Sequence, residues 1–133
     1  MTRETRLWVR KAENDLLAAQ ELAKAERPFH DNICHCCQQS AEKYLKALLE
    51  ELGRPVPRTH NLDDVLNLLR GHHPTLRSLR RGLIFLTDFA VETRYPGDNA
   101  SKRQAVAALR WANRVRNACR TLLGLGARRK KSP

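Results

Sequence analysis

Residues 35–53 read HCCQQSAEKYLKALLEELG. Turned at about 100° per residue, this stretch and the residues just before it separate into two faces. Ile33, Cys37, Ser40, Ala41, Tyr44, Leu45, Leu48 and Leu52 share one face. His35, Gln39, Glu42, Lys46 and Glu50 share the other, with Lys43 at its edge. The spacing predicts an amphipathic helix from Phe29 to Leu52 with a polar outside, stopped by Gly53 and the Pro55-Val56-Pro57 turn.

The same period extends in both directions. Residues 3 to 26 carry Leu7, Trp8, Ala12, Leu16, Ala19, Leu22 and Ala23 at helical spacing, and Pro28 breaks the pattern. Downstream, Asn61 is a good N-cap, and Asp63 and Asp64 suit the positive end of a helix dipole. That helix is short and ends near Arg70-Gly71. Pro74 is placed to open a fourth helix with the stripe Leu76, Leu79, Leu83, Leu86 and Phe89. Tyr95-Pro96-Gly97-Asp98 signals a turn, and a last helix runs from about Ala100 to Leu123. No strand-like alternation competes with these segments. The predicted fold is all-α: an antiparallel up-and-down four-helix bundle with one additional short helix, over residues 1–124. Residues 125–133 are expected to form a basic, disordered tail.

Charge is the loudest bulk property. The formal net charge is +11, and residues 101–133 hold ten basic residues and no acid. Arg103, Arg110 and Arg114 cluster opposite the apolar stripe of the last helix, so phosphate-bearing ligands are favoured there and binding should weaken with salt. The N-terminus is charged throughout, and no apolar run reaches membrane-spanning length. The four cysteines show no disulfide-framework spacing. The expected setting is therefore soluble, reducing and cytoplasmic, without membrane association.

A metal site at the opening stretch is disfavoured. Cys34, His35, Cys36 and Cys37 are consecutive, so they fan around a helix instead of converging on one ion, and no second ligand pair follows. These cysteines are expected in the core, with no metal and no cofactor.

Several short motifs then stand in order. They are Trp8, Ala12, Asp15 and Leu16; Gln38-Gln39-Ser40-Ala41-Glu42-Lys43-Tyr44-Leu45-Lys46-Ala47; Thr59-His60-Asn61-Leu62; and Thr93-Arg94-Tyr95-Pro96. Together they resemble the HEPN family, the nucleotide-binding domains of higher eukaryotes and prokaryotes, over about residues 4 to 123. The resemblance implies a helical bundle that dimerises. It also implies a minimal nucleotidyltransferase as partner, in a two-component or toxin–antitoxin system, and a nucleotide or RNA as ligand. On this reading Arg94 and Tyr95 contact a phosphate or base, while Gln39, Glu42, Lys43 and Lys46 complete the polar face.

Many members of that family are metal-independent ribonucleases with an Arg-x(4–6)-His motif, in which arginine stabilises phosphate charge and histidine serves the RNA 2′-hydroxyl. The match in this chain is Arg54 and His60 with five residues between. It falls in a Pro-rich connection, whereas the family's nucleases carry the pair at the start of a late helix; the final helix here has no histidine. The favoured expectation is a binding protein. A ribonuclease using His60 and Arg54 is the alternative, and a non-enzymatic interaction scaffold is the third.

Overall fold

The computed structural model describes residues 1–91 and 95–126. Five α-helices span Arg3–Ala23 (α1), His30–Glu51 (α2), Leu62–Leu69 (α3), Arg80–Thr87 (α4) and Lys102–Leu122 (α5). A 3₁₀ segment, Pro74–Leu79, leads directly into α4, and there is no strand among the described residues. Pro74 thus opens a tighter turn first, and the 3₁₀ segment and α4 together occupy the place predicted for one fourth helix.

Helix ends follow local chemistry. Thr2 caps α1 by accepting from the Thr5 amide, and Asn61 caps α3 by accepting from Asp63 and Asp64. Ser101 and Gln104 form a reciprocal capping box on α5. Ser101→Ala is expected to cost about 1 kcal/mol, read as a lowered urea midpoint with unchanged slope. α2 closes where Gly53 takes φ +69, a left-handed conformation that disfavours side chains. The Gly53 amide then bonds to Glu50 O and the Arg54 amide to Leu49 O, each at 3.0 Å, which satisfies carbonyls the helix would otherwise leave open.

α2 is the axis of the bundle, packed by α1, α3, α4 and α5. Its apolar face is buried as the sequence predicts: Ile33, Cys37, Ala41, Tyr44, Leu45 and Leu48 all lie in the core. Leu76, Leu79, Leu83, Leu86 and Phe89 are buried from the other side, as are Ala105, Ala108, Ala112, Val115 and Cys119 of α5. Cys34, Cys37 and Cys119 are fully buried, as expected of core cysteines, whereas Cys36 is half-buried; burial pushes the Cys37 and Cys119 thiols well up.

Two expectations need correction. The buried face of α1 runs Thr5, Val9, Ala12, Leu16, Ala19, while Leu7 is exposed. Thr5 takes the inner position because its hydroxyl has partners there, Thr2 Oγ1 at 2.7 Å and Glu51 Oε1 at 3.0 Å. The second correction concerns the polar outside of α2. Glu42 and Lys46 are only 4% and 5% exposed, and Gln38 is fully buried. At these three positions the axial helix faces neighbouring elements instead of solvent, so its polar residues must satisfy one another.

Candidate functional site

Three polar clusters are built on the middle turns of α2. The first lies on the side facing the entry to α3. The Glu42 carboxylate accepts from Lys46 Nζ at 2.9 Å and from Gln38 Nε2 at 3.1 Å, and His60 Nδ1 lies 2.9 Å from its Oε1. Gln38, Glu42 and Lys46 are spaced four residues apart, so one helix face stacks all three. Gln38 also donates to the His60 carbonyl (3.2 Å), fixing the backbone that carries the imidazole, and Gln39 Nε2 donates to Gln38 Oε1 (2.7 Å).

Burial pushes the Glu42 carboxyl up. Hydrogen bonds from Lys46, His60 and Gln38, with the Lys46 charge, outweigh that push and hold it below the usual carboxylate range. Glu42 is therefore an anion at neutral pH. An ionised carboxylate only accepts, so His60 Nδ1 is the nitrogen that carries hydrogen. In the neutral ring Nε2 is then left as the basic atom. The His60 side chain is 63% exposed, which opens that atom to a ligand.

The second cluster joins α2 to α1 and α5. The Tyr44 hydroxyl and Arg116 Nε both donate to Glu13 Oε1, and Arg120 Nη1 stands 3.9 Å from the same oxygen. Burial first, and then the Glu13 carboxylate, push the Tyr44 hydroxyl well up, so it remains a donor. Arg116 is buried, at 5% exposure, where it makes this contact. In the third cluster Lys43 pairs with Asp15 of α1.

These contacts divide the residues singled out from the sequence. Glu42, Lys46 and Lys43 are engaged with partners inside the bundle. Gln39 is half-buried beside Gln38. Arg54 Nη1 reaches the Leu68 carbonyl at 3.4 Å, and among the described residues no hydrogen bond or ion pair joins it to His60. Arg103, Arg110 and Arg114 are exposed on α5, with the Arg114 guanidinium 4.6 Å from the centroid of the Trp111 ring. Tyr95 is 84% exposed in its turn, while Arg94 lies outside the described residues.

The segment bearing Tyr95 leaves and rejoins the body beside α2. His35 Nδ1 lies 2.9 Å from the Phe89 carbonyl, and the Ala100 amide donates to Asp31 Oδ1 at 2.7 Å. His35, Gln39 and Glu42 follow at three- and four-residue steps on α2, so this anchor and His60 mark one continuous side of the helix.

The family model described as HEPN domain matches residues 5–122. The chain belongs to the HEPN domain family. No curated protein and no solved structure matches it. In this HEPN domain the Asp15 and Lys43 positions of the sequence motifs serve as a pair between helices. The Gln38, Glu42 and Lys46 positions form one hydrogen-bonded row that meets His60 through Glu42 and Gln38. The sequence pairs Glu42 with Lys46 by spacing. That His60 completes the pair was not legible, because the chain between them turns through Gly53 and the proline segment. Among the described residues no helix is long and apolar enough to cross a membrane.

Proposed function

We propose that this HEPN domain binds a nucleotide or RNA through His60 and the neighbouring polar side of α2, and acts as a homodimer with a minimal nucleotidyltransferase. The observation that carries the binding reading is the exposed His60 imidazole with Nδ1 held by the buried Glu42 carboxylate. That arrangement fixes one tautomer and offers Nε2 to a ribose hydroxyl or phosphate. The tether of the Phe89–Ala100 segment to His35 and Asp31 supports adding Tyr95 and Arg94 as base and phosphate contacts. The exposed Arg103, Arg110 and Arg114 supply longer-range attraction for phosphate.

A ribonuclease is the second reading, favoured by one feature: a histidine oriented by a carboxylate is an arrangement suited to accepting a proton from a 2′-hydroxyl. Arg54 does not complete it, because its guanidinium is directed to the Leu68 carbonyl.

Incubating the protein with mixed cellular RNA in EDTA, beside His60→Ala, separates these readings. Binding without cleavage is expected, with affinity falling about tenfold or more in His60→Ala and steeply with salt. Cleavage by the parent alone would make the ribonuclease reading the correct one. Undiminished binding by His60→Ala would remove His60 from the site. Sedimentation of the protein alone and after co-expression with a minimal nucleotidyltransferase tests the assembly: a dimer that co-sediments with the enzyme is expected.

A further inference from the structure

At the N-terminal end of α2, the connection between α1 and α2 faces the first turns of α5 and leaves a hollow of about 390 Å³. Its floor is apolar, with Leu22 from α1, Ile33 from α2, and Val106 and Leu109 from α5. Its rim is charged: Arg27 and Lys102 stand with Glu26 and His30. Neither Arg27 nor Lys102 is ion-paired among the described residues. Val106 remains 48% exposed.

We propose that this hollow binds a small amphiphilic monoanion, its head on Lys102 and Arg27 and its apolar body on Leu22, Ile33, Val106 and Leu109. Three observations converge on that chemistry. Lys102, Val106 and Leu109 follow at four- and three-residue steps on α5, so one helix stripe passes from cation to apolar floor. The volume is at the small end of ligand pockets and suits a short chain or a single ring, not a macromolecular segment. With His30 neutral, Arg27 and Lys102 against Glu26 leave one net positive charge, which matches a monoanion better than a dianion. The side chains of Leu22, Ile33, Val106 and Leu109 offer a nucleobase no hydrogen bond, so this ligand is distinct from the one proposed for His60, and the inference does not depend on that site.

Calorimetric titration of the full chain with acetate, hexanoate, octanoate, 1-octanol and AMP, each below any micelle concentration, tests it. Affinity is expected to rise about fourfold per methylene from hexanoate to octanoate. Octanol should bind at least tenfold more weakly than octanoate, and acetate should not bind. Lys102→Glu retains folding, since an acid at the first turn of α5 suits the helix dipole, and should weaken octanoate about tenfold. Val106→Glu, at an exposed position, should abolish binding while circular dichroism stays unchanged. Equal binding of octanol and octanoate, displacement of bound octanoate by AMP, undiminished binding by Val106→Glu, or no octanoate binding at all would each overturn the proposal.

Discussion

Replacing Lys46 with Met is expected to destabilise the protein by about 3–5 kcal/mol at neutral pH, the usual effect of leaving one member of a buried ion pair alone. Both side chains are at most 6% exposed, and the Lys46 ammonium lies 2.9 Å from Glu42 Oε2. Without it, burial is no longer outweighed, and the Glu42 carboxyl should move above its ordinary value. The pH dependence then changes sign. In the parent the Glu42 carboxyl is depressed, so its contribution is present above the unfolded value, near 4.5, and lost as pH falls through the folded one. In Lys46→Met the folded value is raised, so the loss is largest at neutral pH and shrinks as pH falls toward the unfolded value. Urea titrations at pH 7 and pH 5 check this: the deficit of Lys46→Met should be smaller at pH 5. A double variant, Glu42→Gln with Lys46→Met, removes both charges while keeping acceptors for Gln38 and His60, and should regain half or more of the loss. A single-variant cost below about 1 kcal/mol would mean that the pair is hydrated and unimportant.

The same network explains what could and could not be read from the sequence. Four-residue spacing places Glu42 beside Lys46, and that much was legible. Whether such a pair faces water or the core depends on how many helices surround its own. α2 is packed by α1, α3, α4 and α5, a fact of topology that no single helical wheel contains. The residues of the apolar face were legible because one-sided burial leaves a clear periodic record. The polar face of an axial helix leaves the same record as an exposed face, and only the partners Gln38 and His60 tell them apart.

Helix boundaries were legible where chemistry is local. Asn61 before two aspartates, Gly53 before a proline turn and Pro74 after Gly71 each announce an end or a start within a few residues. The phase of α1 was not, because Leu7 outranks Thr5 in hydropathy. The inner place of Thr5 rests on Glu51, which stands 46 residues away in sequence. The Pro74 segment begins as a 3₁₀ turn for a reason periodicity also misses: its stripe of Leu76 and Leu79 fits a three-residue repeat as well as a helical one.

Gly82 carries the second large effect, and it has no sequence signal at all. A glycine inside a helix ordinarily gives way to alanine with a gain of about 0.5–1 kcal/mol, and Gly82 lies within α4 with no left-handed backbone to protect it. Yet a Cβ built there would overlap the six-membered part of the Trp111 ring, where α4 closes on α5. Backbone on one side and a rigid indole on the other leave the added methyl nowhere to go without moving the ring. The ring in turn carries the Arg114 guanidinium, 4.6 Å from its centroid, so a displacement would disturb that contact as well. Gly82→Ala is therefore expected to destabilise by about 1–3 kcal/mol, opposite in sign to the helix-propensity rule. Gly71, with open space around its Cβ position and no positive φ, provides the control: Gly71→Ala should be neutral or slightly stabilising. Combining Gly82→Ala with Trp111→Leu should cost less than the sum of the two single changes, because the smaller side chain gives the methyl room. Thermal melts of the four variants measure this coupling directly. Strict additivity, or a stabilising Gly82→Ala, would show that α4 and α5 do not approach as closely at this point as the structure has them.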